Sequence, residues 1–360
     1  MTVYKNSLFD SLGVANKEKI HTQFLNWFFN NEDIETSIKI DFLKALNGDL
    51  DISTTDTKVI AVTEFKSIDL IIVIKNTNSD KFEHVLAFEN KLKSTLHSNQ
   101  LEKYNKVLND YNDFKDVKIS KFLLSLISEK YVGNGDKWES FSYDKLLEIF
   151  NKVLSKLTGN NQIFVNEYIH TLNNLLRAKK EFFANPDLFK DVLVVKKSDA
   201  IETKQKFNTN EHVAFVAKYQ LGTIFMMNFI RDKFADIVES LSLNDYIFKE
   251  TRGQPLIDVV LFKNDKYILQ FQYQNLTIKL QLMSLKSSDD IEENVYENFI
   301  ECIPGMINYK RINCAKQGKK NYISNSKILN CKYAKLGDSI KKEYDAIKNK
   351  LDDIQAKLNL

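Results

Sequence analysis

The sequence predicts a two-domain protein, α/β in its first half and α+β with an antiparallel meander in its second. Three observations predict this. The chain has 360 residues, more than the ~150 of a typical single domain. In the first half the apolar period switches from helical to strand-like and back. At Asn185-Pro186-Asp187 a long helical pattern stops, because a proline cannot continue the helical ladder. The expected domains are therefore residues 1–185 and 186–360.

Ile20, Phe24, Trp27 and Phe28 recur at helical spacing, so residues 18–29 are expected to be an amphipathic helix, with Asn16 as its cap. A second helix is expected over 38–46. Residues 58–65, 68–75 and 84–91 are short, rich in β-branched side chains and separated by turn-like stretches, so they are expected to be strands. Residues 96–111 return to a helical pattern. Residues 121–128 form a continuous apolar run of the kind buried on both faces of a sheet. Helices follow over 142–157, with Ser142 as a cap, and over 162–183. Beyond Pro186, helical patterns cover 210–240. Four strands are expected at 246–251, 257–262, 267–272 and 277–282, with Lys263-Asn264-Asp265-Lys266 as a hairpin turn. A charged helix is expected over 338–358.

Composition excludes several classes. Hydrophobic residues are 43% and charged residues 28% of the chain, which is globular rather than disordered. No apolar run approaches the ~18 residues of a membrane span, and the first residues lack a signal-peptide layout. Cys302, Cys314 and Cys331 are odd in number and widely spaced, so neither a disulfide framework nor a Cys-x-x-Cys metal site is expected. A cytoplasmic location follows as the expectation. The five histidines form no zinc array, and neither a P-loop nor a dinucleotide fingerprint is present.

The chemistry concentrates in two strands. Ile68-Asp69-Leu70-Ile71-Ile72-Val73-Ile74 and Leu86-Ala87-Phe88-Glu89-Asn90-Lys91 flank a loop centred near Ser79. A hairpin symmetric about that residue puts Asp69 opposite Glu89, with Cβ atoms ~5 Å apart. Glu89 and Lys91 are two apart in a strand and share a face. Two such carboxylates repel each other, and a hard divalent cation, Mg²⁺ or Mn²⁺, resolves the conflict. A lysine beside that cation can orient a water or stabilise charge developing on phosphorus. Lys91 also fits a surface lysine closing its strand. Glu18 fits the first turn of a helix for reasons of the dipole alone. Tyr104 fits a core position, and Glu64 a turn.

Asp69 followed by Glu89-Asn90-Lys91 resembles the signature of the PD-(D/E)XK nuclease superfamily. The stretch Glu18-Lys19-Ile20-His21-Thr22-Gln23-Phe24-Leu25-Asn26-Trp27 resembles the opening helix of a bacterial family within it that reads E-x-x-H-S-x-x-L-x-W-L-L. Gln100-Leu101-Glu102-Lys103-Tyr104 resembles its Q-L-x-x-Y helix, and Trp138 with Ser142-Tyr143 its later W…SY segment. The superfamily's proline is absent before Asp69, and Thr22 stands where serine is usual. The resemblance covers residues ~15 to ~180. It implies a restriction-endonuclease-like core, a central mixed sheet flanked by helices, and Mg²⁺-dependent cleavage of nucleic acid. It also implies Asp69 and Glu89 as metal ligands, Glu18 as a supplementary ligand, and a catalytic group of Asp69, Glu89, Lys91 and Gln100. Defence against foreign DNA is an expectation at family level only.

A second feature is a charge asymmetry. Between Glu301 and Asp338 there is no acid, while Lys310, Arg311, Lys316, Lys319, Lys320, Lys327, Lys332 and Lys335 are all basic, with Tyr309, Tyr322 and Tyr333 interleaved. The net charge of +3 hides this polarity. Lys310, Arg311, Lys316, Lys319 and Lys320 are the expected nucleic-acid contacts; a solvated basic face beside an acidic helix is the plainer account. The expected partner is nucleic acid, DNA ahead of RNA, with no membrane and room for a homo-oligomer. The rival function is a nuclease-like fold that only binds nucleic acid or protein.

Overall fold

The computed structural model describes residues 4–94, 99–127, 138–190, 209–241, 246–251, 254–274, 276–285, 290–302, 310–312 and 322–358. The chain forms two compact units. One comprises residues 1–184 and 188–225, the other residues 185–187 and 226–360. Residues 188–225 lie beyond Pro186 yet pack with the first unit.

The first unit contains helices α1 (Leu8–Ser11), α2 (Glu18–Asn30) and α3 (Thr36–Leu46), then strands β1 (Thr57–Phe65), β2 (Ile68–Asn76) and β3 (Phe82–Lys91). Helix α4 (Gln100–Asp110), strands β4 (Lys118–Ser125) and β5 (Glu139–Ser142), and helices α5 (Tyr143–Leu154) and α6 (Gly159–Ala184) complete the core, with α7 (Glu211–Lys218) beyond it. The five strands form one mixed sheet in the order β1-β2-β3-β4-β5. β1, β2 and β3 are antiparallel neighbours, whereas β3, β4 and β5 run parallel. β3 is thus the strand at which the sheet changes sense.

Strand alternation sorts the apolar side chains into two layers. Ile71, Val73, Val85 and Ala87 pack against Leu101, Tyr104 and Leu108 of α4. Opposite them an aromatic layer joins the helices. Phe24 of α2 stacks on Tyr168 of α6 at 3.8 Å, and Phe42 of α3 meets Phe150 of α5 at 5.1 Å. Each fully buried Phe contributes ~1.5–3 kcal/mol relative to exposure. Helix α2 has Lys17 at its cap position, and an ammonium cannot accept an N–H, so no side chain caps it; Asn16, the expected cap, donates to the Tyr219 carbonyl at 2.9 Å. Ser142 does cap α5, accepting from the Lys145 N–H at 3.1 Å. The short strand β5 is not evident from the sequence; it is paired to the buried end of β4.

The β1–β2 turn is tight. Phe65 pairs with Ile68, leaving Lys66 and Ser67 as a two-residue loop with φ of 50° and 74°. That is the backbone of a hairpin turn that favours Asn-Gly, built here without glycine. Glu64, with φ of 57°, adds a third residue in the left-handed region, where a Cβ costs ~1–2 kcal/mol.

The second unit holds most of helix α8 (Gly222–Leu241), then β6 (Tyr246–Thr251), β7 (Gln254–Lys263), β8 (Tyr267–Gln274), β9 (Thr277–Ser284), α9 (Glu293–Cys302), β10 (Lys310–Ile312), β11 (Tyr322–Ile328), α10 (Leu336–Lys348) and α11 (Leu351–Leu358). Its sheet is antiparallel throughout, in the order β10-β11-β9-β8-β7-β6. The meander β6–β9 turns between β7 and β8 at Asn264, whose Oδ1 accepts from the N–H groups of Lys266 and Tyr267 at 2.9 and 2.8 Å. This is the side-chain turn mimicry that asparagine favours. Two strands, β10 and β11, run through the basic window. The charged C-terminal helix is two helices, broken at Asn349 and Lys350. Among the described residues no single helix is long and apolar enough to cross a membrane.

Candidate active site

The β2–β3 register brings the two acids together. Leu70 pairs with Phe88, Ile72 with Leu86 and Ile74 with His84, the mirror relation about Ser79. One register shift occurs between Ile74 and Lys75, at the turn end of the hairpin, so it leaves the site end undisturbed. Asp69 and Glu89 therefore lie opposite each other at the far end, on the face that α4 covers.

Glu89 is 1% exposed. Its Oε1 accepts from Lys91 Nζ at 2.7 Å and from Gln100 Nε2 at 2.6 Å. Its Oε2 is buried with no donor among the described residues. The two carboxyl groups stand close enough to influence each other's ionisation. Burial, then the neighbouring Asp69 charge, push the Glu89 carboxyl up to about 7, against the pull of Lys91. Burial also raises the Asp69 carboxyl, although the Asn90 N–H, donating to its Oδ2 at 2.8 Å, favours the ionised form. Lys91 is held above its ordinary range: burial disfavours its charge, and Glu89, Glu18 and Asp69 together outweigh that.

Glu18 reaches the same strand end from α2. Its Oε1 accepts from the N–H groups of Leu92, Lys93 and Ser94 at 2.8, 3.0 and 3.1 Å and from Ser94 Oγ at 2.9 Å. Three successive backbone N–H groups around one anion form a nest. Burial works against the Glu18 charge, yet these donors hold its carboxyl below the usual range. One oxygen of Glu18 is thus committed to fixing the chain that follows Lys91.

Asn90, the middle residue of Glu89-Asn90-Lys91, points to the opposite layer. Its Nδ2 donates to the Glu18 carbonyl at 2.9 Å, and its Oδ1 accepts from the Tyr143 hydroxyl at 2.9 Å. Sequence reasoning missed this role. The available signal was a polar residue at a position whose parity, shared with Leu86 and Phe88, faces the core. Behind it His21 is fully buried. Its Nε2 donates to the Ala15 carbonyl at 2.8 Å, so Nδ1 is the acceptor from the Tyr168 hydroxyl at 2.9 Å. Burial lowers its pKa to about 4, keeping the ring neutral.

Gln100 opens α4 and bonds to Glu89 and, at 2.8 Å, to the Tyr104 hydroxyl. It meets Lys91 through the shared Glu89 oxygen. Tyr104 is 8% exposed and belongs to the core packed under α4. Glu64 is exposed and paired with Lys19 at 2.8 Å.

The donor set fits a hard cation that retains several waters: two apposed carboxylates, one with a buried oxygen that lacks a donor. Among the described residues no group of three or more His, Cys, Asp or Glu converges as a metal cage. In the basic window Lys310 and Arg311 lie on β10, with side chains outside the described set, and Lys316, Lys319 and Lys320 lie outside the described residues. Lys327 is an ion-pair partner of Glu343 on α10.

Residues 6–170 match the family model of the PD-(D/E)XK nuclease superfamily. No curated protein and no solved structure matches the chain.

Proposed function

Taking the match of residues 6–170 to the PD-(D/E)XK nuclease superfamily as premise, we propose that the first unit hydrolyses phosphodiester bonds of nucleic acid, DNA ahead of RNA, with Mg²⁺ or Mn²⁺. The observation that carries this reading is the buried Glu89 Oε2, which lacks a donor and stands beside Asp69. A buried anionic oxygen without a partner is costly, and a divalent cation bound by Asp69 and Glu89 would remove that cost. Such a cation, when bound, polarises a phosphoryl oxygen and lowers the pKa of its water.

The chain's own groups do the rest. Asp69 and Glu89 would be the ligands. The Asn90 N–H fixes the orientation of Asp69, and Gln100 occupies Glu89 Oε1, leaving Oε2 as the uncommitted oxygen. Lys91 stays protonated and supplies a positive charge at the strand end, where it orients the attacking water or stabilises the charge gathering on the phosphoryl oxygens. Glu18 is a positioning residue: it anchors residues 92–94 and so fixes where Lys91 leaves the sheet. The deciding experiment incubates the full chain with plasmid DNA, with and without Mg²⁺ or Mn²⁺. Metal-dependent nicking or linearisation that disappears in Glu89→Gln is expected. A protein that binds the plasmid and never cleaves it with either metal is a binding module.

A further inference from the structure

Two lysines beside the end of β3 have no counter-charge in contact. Lys17 precedes Glu18 at the start of α2. Lys93 is the middle one of the three residues whose N–H groups Glu18 Oε1 accepts, and its own N–H lies at 3.0 Å. One carboxylate therefore holds the two backbones side by side, although they are far apart in sequence. Lys17 is exposed and Lys93 half-buried. Neither side chain makes an ion pair or a hydrogen bond among the described residues. Lys19, two residues after Lys17, is by contrast paired with Glu64 at 2.8 Å.

Glu18 is the acid nearest to hand, yet it does not pair with either ammonium. Its Oε1 already accepts from three backbone N–H groups and the Ser94 hydroxyl. Burial pushes the Lys93 ammonium below its usual range; the Glu18 charge opposes this and the Lys17 charge adds to it. The fold thus keeps two like charges within reach of each other and pairs neither. Charged groups drawn partly out of water normally find a partner. An anion gripped by both ammoniums supplies the missing charge to each. The place narrows the choice of anion. Lys91, two residues before Lys93, sits on Glu89 at 2.7 Å, so the pair borders the candidate active site. Lysine is a compact point charge with three donors, which suits a phosphate and reads no base.

We propose that Lys17 and Lys93 grip a backbone phosphate of the nucleic-acid strand, next to the one being cleaved. The inference rests on the nuclease reading, which supplies the substrate, and adds to it the residues that seat the strand. Glu18 then has two effects through one oxygen: it fixes the chain that leaves Lys91, and it sets the spacing of the two ammoniums. Because phosphate contacts carry no sequence information, the grip acts on every sequence alike.

The test is fluorescence anisotropy of a short labelled DNA duplex with the full chain carrying Glu89→Gln, at several salt concentrations, so that binding is read without cleavage. Lys17→Ala and Lys93→Ala, each added to that background, are expected to weaken binding about tenfold, the scale of one charged hydrogen bond. Together they should flatten the slope of log K against log salt by ~1.8, at ~0.9 per contact. Lys19→Ala removes the same charge from the same helix and should leave the slope unchanged. In the otherwise wild-type chain the double variant should raise KM with kcat nearly unaltered. The amides of Leu92, Lys93 and Ser94 should keep their hydrogen-exchange protection, because the Lys93 main chain still donates to Glu18. Unchanged affinity and slope in the double variant, an equal loss in Lys19→Ala, or loss of that amide protection would each overturn the proposal. Saturable binding of inorganic phosphate alone, lost in the double variant while duplex affinity is kept, also overturns it and assigns the pair to a free anion. The nuclease reading fails separately: a wild-type chain that binds the duplex and never cleaves it with Mg²⁺ or Mn²⁺ ends that reading and leaves the lysine result standing.

Discussion

The Asn90 N–H donates to Asp69 Oδ2 at 2.8 Å, so the acid on β2 is oriented by the backbone of the residue between Glu89 and Lys91. The motif is more than three side chains. Its middle residue binds the partner acid with its main chain and the opposite layer with its side chain.

Asp69→Asn keeps an acceptor for Asn90 and removes a charge. Together with Glu89→Gln it is expected to reduce metal-dependent cleavage by about 10²–10³-fold or more, the scale of losing one preorganised electrostatic group. Both variants should stay folded, because each removes a like charge from a buried pair. Plasmid cleavage kinetics beside circular dichroism melts check both halves of the prediction.

The pH dependence follows from Glu89. Its folded carboxyl sits at about 7, above the unfolded value of ~4.3. The folded state therefore binds more protons than the unfolded one between those values, and the metal-free protein loses stability as pH rises through that window. His21 acts in the opposite sense. Its folded pKa of about 4 lies below the unfolded value of ~6.5, so its contribution is lost as pH falls from 6.5 towards 4. Metal affinity should weaken as pH drops below 7, since the cation competes with the Glu89 proton. Melting curves from pH 5 to 8 for wild type and Glu89→Gln, with and without Mg²⁺, isolate the Glu89 limb. An unchanged pH profile in Glu89→Gln contradicts the assignment.

Lys91→Met is expected to slow cleavage by about 100-fold or more, with Mg²⁺ affinity altered far less. Gln100→Ala should slow it by about tenfold, the scale of one hydrogen bond, by releasing Glu89 Oε1. Tyr104→Phe should change little, because the ring and not the hydroxyl fills the core. Single-turnover rates at saturating metal separate these effects.

Glu18→Ala removes the anchor of residues 92–94. Faster hydrogen exchange of the Leu92, Lys93 and Ser94 amides is expected, with slower cleavage. Glu18→Gln should restore part of the protection, since an amide oxygen still accepts. If instead Glu18→Ala weakens Mg²⁺ binding as much as Glu89→Ala does while those amides stay protected, Glu18 is a metal ligand first.

The basic window makes a separate prediction. If about four of its cations contact duplex phosphates, log K should fall with log salt with a slope near −3.6 from these contacts, at ~0.9 per contact. The triple variant Lys316→Glu, Lys319→Glu and Lys320→Glu should flatten that slope and weaken binding to all sequences alike. Wild-type binding and salt dependence in the triple variant would remove the window from DNA recognition.

Much of the first unit was legible because its signals are local. Runs rich in β-branched residues between turn-like stretches mark β2 and β3, and a loop symmetric about Ser79 predicts the register that sets Asp69 opposite Glu89. What was illegible is non-local. Asn16, the expected cap of α2, stands one residue before the cap position, which Lys17 holds, and bonds to Tyr219, some 200 residues away. Short β5 has no pattern of its own and exists because β4 offers an edge. Glu18 carries no mark that its carboxylate is clasped by backbone N–H groups, since these belong to residues of any type. In the second unit the alternation Gln270-Phe271-Gln272 ordinarily marks a solvated strand face, yet Gln270 is 9% and Gln272 7% exposed, which no sequence pattern announces.

Asn90 also sets a timetable. Its side chain bonds to Glu18, 72 residues earlier, and to Tyr143, 53 residues later. On the ribosome, at ~5–20 residues per second, α2 is made well before the strand it braces, and that strand waits again for Tyr143. Asp69, Glu89 and Lys91 are all synthesised before their surroundings can lock. If the first unit is the nuclease proposed above, a nascent chain that has emerged only as far as Lys91 carries Asp69, Glu89 and Lys91 but lacks both Gln100 on Glu89 and the Tyr143 brace on Asn90. Cleavage by such a shortened chain is then expected to be absent until Tyr143 has emerged.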